Sequence, residues 1–186
     1  RQGAPPNVVS ALPHSAIIFK EVKIDRGLTD KEIENFLQFN MEKHTGKAAN
    51  NISFDYQIIE TPSAIKKRVM LRLIVAQREQ IEKRTKLLRA ANLCPKIIDI
   101  DSYALERAVR RQFKEFPGLI AIVNINREAV LIVVIDRKKI VYVHEDFVNA
   151  EEKRGVAQII VQFKIKMQLV FDSLPQPLEK IILAGE

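Results

Sequence analysis

Side chains that could do chemistry are few in this 186-residue chain, and they are scattered along it. His14, His44 and His144 stand at no metal-ligand spacing from one another or from Cys94, the single cysteine. Each histidine reads as an ordinary surface or turn residue. One cysteine excludes an internal disulfide framework and suits a reducing compartment. A reactive thiol wants a helix N-terminus or a basic pocket. Cys94 falls instead between an expected helix end and a strand, just before Pro95, and reads as a small buried packing residue. Asp99 and Asp101 would share one side of a short strand, where a solvated strand end is the usual reading. No Gly-x-Ser-x-Gly elbow, Walker loop or dinucleotide fingerprint occurs. With six glycines in all, a glycine-rich phosphate cradle is scarcely possible. These residues point to binding and positioning of partners rather than to turnover.

Composition agrees. The chain is 47% hydrophobic and 28% charged, ordinary values for a globular protein. No apolar run approaches the roughly 20 residues of a spanning helix. Arg1-Gln2-Gly3-Ala4-Pro5-Pro6 lacks an apolar signal core and reads as a frayed end. A soluble, intracellular protein is the expectation. The net charge of +7 is unevenly spread: basic and acidic residues number 7 and 8 over 1–60, 14 and 6 over 61–115, and 9 and 9 over 116–186. A basic middle third could attract nucleic acid, anionic lipid or an acidic partner. Nucleic acid would want interleaved aromatics, and only Tyr103 and Phe113 fall there.

The elements that must position any site follow from periodicity. Ser15–Ile24 reads as a half-buried strand broken by Gly27. Thr29-Asp30-Lys31-Glu32 is a capping box, and Ile33, Phe36, Leu37 and Met41 then give one apolar helical stripe. Strands are expected over Ile52–Glu60 and Arg68–Ala76 around a Pro62-Ser63 turn. A helix over Glu79–Ala91 should stop at Asn92. A short strand Lys96–Ile100 precedes a helix capped by Ser102 and running to about Gln112. Leu119–Ile125, Ala129–Ile135 and Ile140–Val143 read as strands, the last two joined by a turn over Asp136-Arg137-Lys138-Lys139. A long amphipathic helix, Glu152 to about Phe171, and a strand Ile181–Leu183 close the chain. Hairpins mixed with helical crossovers imply an α/β fold with a mixed sheet.

One run is more specific. Ile97-Ile98-Asp99-Ile100-Asp101-Ser102-Tyr103-Ala104-Leu105-Glu106-Arg107-Ala108 closely resembles a signature of the PilM family, actin-like cytoplasmic proteins of type IV pilus assembly. Ala11-Leu12-Pro13-His14-Ser15-Ala16 is similar to the family's Ala-Leu-Pro-x-Ser segment. Gly27-Leu28-Thr29-Asp30-Lys31-Glu32 resembles the opening of its inserted subdomain, Phe54-Asp55-Tyr56 its Leu-Asp-Tyr-type strand, and Leu73–Glu79 its strand into helix. The segments occur in family order over nearly the whole chain.

The resemblance implies a partial actin-like ATPase fold with an inserted α+β subdomain. Residues 1–26 would belong to the first lobe, 27–93 to the insertion and the return to that lobe, and 94–186 to a reduced or incomplete second lobe. It implies nucleotide loops too, and here the sequence departs. The first phosphate loop, an Asp-x-Gly turn near the N-terminus, has no counterpart, so the chain is expected to start after it or to have lost it. The second should fall at Val123–Glu128, where the family's Asp-Ile-Gly becomes Asn124-Ile125-Asn126. Asn124 brings no carboxylate for a metal-bound water. Asn126 puts a side chain where glycine lets backbone approach phosphate. Arg127 and Glu128 are bulky where small hydroxyl residues usually sit. The adenosine-side loop would match Leu183-Ala184-Gly185-Glu186. Asn124, Asn126, Arg127 and Gly185 are thus the degenerate nucleotide positions. No cofactor is expected in this chain, although ATP and magnesium would fit a longer protein of the family.

By resemblance the chain is a cytoplasmic scaffold, peripheral to the inner membrane. It would bind the short N-terminal tail of a PilN-like membrane protein within the pilus inner-membrane complex. Leu12, Phe19 and Phe36 are the candidate groove residues, with core packing the rival role for each. A nucleotide-operated ATPase of the same fold is the alternative, and a nucleic-acid module a more distant one.

Overall fold

In a computed structural model, residues 4–59, 68–113, 118–126, 129–137, 139–147, 164–165, 167–174 and 176–185 are described. The Pro62-Ser63 turn, Arg127, Glu128 and most of the expected helix over 152–171 lie outside them. The chain divides into two compact units, Arg1–Ile100 and Asp101–Glu186.

The first unit opens with a strand that sequence reading missed, β1 (Asn7–Leu12). It pairs in parallel with β5 (Cys94–Ile100), Leu12 opposite Ile100. This pairing lies within the first unit. A single 3-10 turn, His14–Ala16, leads into β2 (Ile17–Asp25). β2 leaves the β1–β5 sheet and joins β3 (Ile52–Ile59) and β4 (Arg68–Gln77) in an antiparallel sheet ordered β2-β4-β3. β2 thus belongs to the α+β layer built on this sheet.

Helix α1 (Asp30–Thr45) covers one face of that sheet. It starts at the expected capping box. The Glu32 N–H donates to Thr29 Oγ1 at 3.4 Å, and the Thr29 N–H donates to Glu32 Oε2 at 2.8 Å. It ends at Gly46, whose φ of 68° suits a residue without Cβ. Ile33, Leu37 and Met41 are buried against Val22, Ile24, Leu71, Leu73 and Val75, so this layer has its own core. Phe36, placed on the same stripe from sequence, is not among the residues of that core and stands 37% exposed.

Helix α2 (Arg78–Ala90) connects β4 to β5 and buries no residue fully. Its end is the turn foreseen at Asn92, which sits at φ 58°. The Leu93 N–H donates to the Leu88 carbonyl and the Asn92 N–H to the Arg89 carbonyl, each at 3.0 Å, a Schellman arrangement. Cys94 follows as the first residue of β5, and its N–H donates to the Pro6 carbonyl at 2.9 Å. It is only half-buried, which corrects its reading as a fully buried packing residue, because a short two-stranded ladder cannot enclose it.

The second unit begins with α3 (Asp101–Arg110). The helix starts at Asp101, whose Oδ1 accepts the Ser102 N–H at 2.6 Å. Ser102 is fully buried within the first turn of the helix. Strands β6 (Leu119–Ile125), β7 (Ala129–Ile135), β8 (Ile140–Phe147) and β9 (Leu178–Gly185) form a mixed sheet ordered β8-β7-β6-β9. β9 runs parallel to β6, and the rest are antiparallel. β6 and β7 are buried on both faces, as their unbroken apolar runs require. Val109 and Leu105 of α3 pack with Ile120, Ile122, Leu131 and Val133 on one face. Met167, Val170 and Phe171, from the described end of the expected long helix, pack with Leu119, Ala121, Ile132 and Val134 on the other.

Arg110 fastens α3 to the β7–β8 turn. Its guanidinium donates to the Asp136 and Arg137 carbonyls, both at 2.8 Å, and to Glu106 Oε1. The turn is closed by Asp136, whose Oδ1 accepts the Lys139 N–H and whose N–H donates to the Lys139 carbonyl, each at 2.9 Å.

Candidate functional site

The expected nucleotide positions come together at one end of the second unit's sheet. In the parallel β6–β9 ladder Asn124 faces Ala184 and Ile125 faces Gly185. Residues about 60 apart in sequence thus meet where the two strands end, the edge at which open α/β sheets hold ligands. Gly185 has a φ of 124°, and a Cβ there would stand 1.8 Å from the Ile125 carbonyl oxygen, so only glycine fits. Asn126 Oδ1 accepts the Ala129 N–H at 2.7 Å, and its own N–H donates to the Ala129 carbonyl at 3.0 Å. Its side chain closes the hairpin. Among the described residues of this loop, Asn124 and Asn126 bring carboxamides without charge, a poor fit to a magnesium–triphosphate, which wants carboxylate-held water and open backbone amides. Arg127 lies outside the described residues.

The three candidate groove residues do not share a groove. Leu12 is 5% exposed at the end of β1, opposite Ile100. Phe19 and Phe36 fall on opposite sides of the three-stranded sheet. Val22 and Ile24 of β2 face α1, so the alternation of strand side chains turns Phe19 to the other face. There Phe19 pairs with Ile74 and stacks on His14 at 4.9 Å between ring centroids.

One hollow lies where sequence reading marked nothing. A cleft of about 720 Å³ opens between the turn after α1 and the start of α2, lined by Lys47, Asn50, Asn51, Gln77, Arg78, Glu79 and Glu82. A chamber of about 170 Å³ adjoins it and shares Lys47 and Gln77. Its floor is Ile18, Ile52, Val75 and Ala76, with Ser15 and Gln80 at the polar side. The Arg78 guanidinium donates to the Ile52 carbonyl at 3.2 Å and fixes one wall. Gln80 Oε1 is buried with no hydrogen-bond partner. Gln77, the residue before α2, offers no side-chain cap. An apolar floor under a rim carrying both charges suits an extended peptide segment better than a compact anion. The only signals in sequence were the turn residues Gly46 and Asn50-Asn51, and those are common to many loops.

Other candidates for chemistry remain apart. His144 is half-buried on β8, and its Nε2 is buried without a hydrogen-bond partner among the described residues. Asp99 Oδ1 accepts the Ile100 N–H at 2.8 Å. No group of three or more His, Cys, Asp or Glu among the described residues could hold a metal ion. No helix among them is long and apolar enough to cross a membrane.

These two units make a mixed α/β protein, a partial actin-like fold carrying an inserted α+β layer. Residues 3–184 match the family of type IV pilus assembly protein PilM, and the chain belongs to that family. Its fold is similar to that of a chain in a PilM-PilN type IV pilus biogenesis complex. The TM-score is 0.72 at 16% identity, over 97% of this chain and 62% of that one. The chain thus spans somewhat under two thirds of that relative's length. A slighter likeness, at a TM-score of 0.38 and 10% identity, covers 96% of this chain and 68% of a Bacteroides thetaiotaomicron protein described as having an actin-like ATPase fold and unknown function.

Proposed function

We propose that this chain is a scaffold of type IV pilus assembly, working at the cytoplasmic face of the inner membrane by binding the tail of a PilN-like membrane protein. Membership of the PilM family over residues 3–184 carries the reading. The likeness to a chain of a PilM-PilN complex supports the choice of partner. The cleft beside α2 is the seat we assign to the tail, since it joins an apolar floor to a polar rim within one unit. Scaffolding rather than ATP turnover is favoured by the carboxamides at Asn124 and Asn126.

Fluorescence anisotropy of a labelled tail peptide against variants tests the seat. Asn50→Trp, at an exposed lining position, should fill the cleft and weaken capture at least about tenfold, some 1.4 kcal/mol. Phe39→Ser, at an exposed site on α1, should leave it unchanged. Equal binding by both variants would remove the cleft as the seat. Loss with Phe19→Asp alone, in a folded chain, would move the seat to the other face of the three-stranded sheet.

A further inference from the structure

The charges of α2 are segregated along its axis. Its two carboxylates, Glu79 and Glu82, stand at the N-terminal end and line the cleft. From residue 83 to residue 98 the chain carries Lys83, Arg84, Lys86, Arg89 and Lys96 and no acidic residue at all. All five are exposed, and none has an ion pair among the described residues. Ile81, Thr85 and Leu88, spaced i, i+4 and i+7, are half-buried and seat the helix on its unit, while Gln80 is half-buried in the first turn, where it lines the small chamber. At 100° per residue, Lys83, Lys86, Leu87 and Ala90 then lie on the side away from that seat, with Arg84 and Arg89 on the flanks. Leu87 is 63% exposed in the midst of these cations.

We infer that this outer face of α2 docks on an anionic lipid bilayer, giving the chain a membrane contact of its own, independent of any membrane-protein tail. Two observations choose lipid over nucleic acid. A leucine among lysines and arginines matches a surface that offers anionic headgroups above acyl chains. Residues 78–98 contain no aromatic side chain on which a base could stack. The helix, 13 residues and about 20 Å long, would lie along the headgroups with Leu87 pressed between them.

Co-sedimentation of the whole chain with vesicles, in the absence of any tail peptide, tests the inference. Phosphatidylcholine vesicles with about one third phosphatidylserine should pull the chain down at about 0.1 M salt, and release it at about 0.5 M. Pure phosphatidylcholine should not bind it. A Lys83→Gln, Lys86→Gln, Arg89→Gln triple variant should bind roughly a hundredfold more weakly, about fivefold per charge removed. Leu87→Gln should cost about tenfold while leaving all charges in place. Circular dichroism should be unchanged in both, because every altered position is exposed. Peptide capture at the cleft should also persist, which separates failure here from failure of the proposed function. Equal sedimentation of the triple variant, binding to pure phosphatidylcholine, or no binding to the anionic vesicles would each overturn the inference. So would tighter binding to a DNA duplex than to the vesicles at matched salt.

Discussion

Gly185 faces Ile125 across the parallel β6–β9 ladder so closely that a Cβ on the glycine would stand 1.8 Å from the Ile125 carbonyl oxygen. With its φ of 124°, the position excludes any side chain twice over. Gly185→Ala should therefore pry apart the end of the ladder and lower stability by about 1–3 kcal/mol. Urea denaturation followed by circular dichroism measures it. A midpoint equal to that of the parent chain would show that the strands do not meet as described.

The same strand end bears on nucleotide. Two expected loops converge there, yet the loop at 124–126 offers carboxamides, and Asn126 is engaged in its own turn. Calorimetry with magnesium and ATP should give at most weak binding. A dissociation constant near or below about 10 μM, some 7 kcal/mol, would revive the ATPase alternative.

Arg110 joins three partners that a lysine could not reach together, because its planar fork serves two carbonyls and Glu106 at once. Arg110→Lys should lose about 1–3 kcal/mol of stability, close to the effect of Arg110→Ala. Full rescue by lysine would contradict the fork geometry.

The capping box predicts a pH dependence. Hydrogen bonds from the Thr29 backbone and then its hydroxyl hold the Glu32 carboxyl below the usual glutamate range. A depressed carboxyl stabilises the fold above its unfolded pKa, and that contribution fades as pH falls through the folded value. Carbon-detected NMR should find the Glu32 midpoint below the ordinary glutamate value. Thr29→Ala removes the hydroxyl but keeps the backbone donor, so it should raise that midpoint part of the way back, and loss of the cap should cost about 1 kcal/mol of helix stability.

Local signals told most of this fold. The capping box, the Asn92 stop and the runs of β6 and β7 all rest on neighbours in sequence, and each is where the residues indicate. What failed depends on distant partners. Asn7–Leu12 sits among Pro5, Pro6 and Pro13, and becomes a strand only because β5, more than 80 residues on, runs beside it. β2 read correctly as a strand, but nothing within it says that it pairs with β4 rather than β1. Ser102 read as the residue before its helix, whereas the helix begins at Asp101 and takes Ser102 into its first turn. Of the candidate site, Asn124 and Gly185 were legible through family resemblance. The cleft was not, because residues 46–51 and 77–82 form it together and neither stretch carries a motif of its own.

The central claim is capture of a membrane-protein tail, and direct titration of a fluorescent PilN-like N-terminal peptide with the folded chain tests it. A short docked peptide buries less than a standard interface, so anisotropy should saturate with a dissociation constant in the micromolar range. No rise in anisotropy up to about millimolar protein, near 4 kcal/mol of binding, would contradict the scaffold reading.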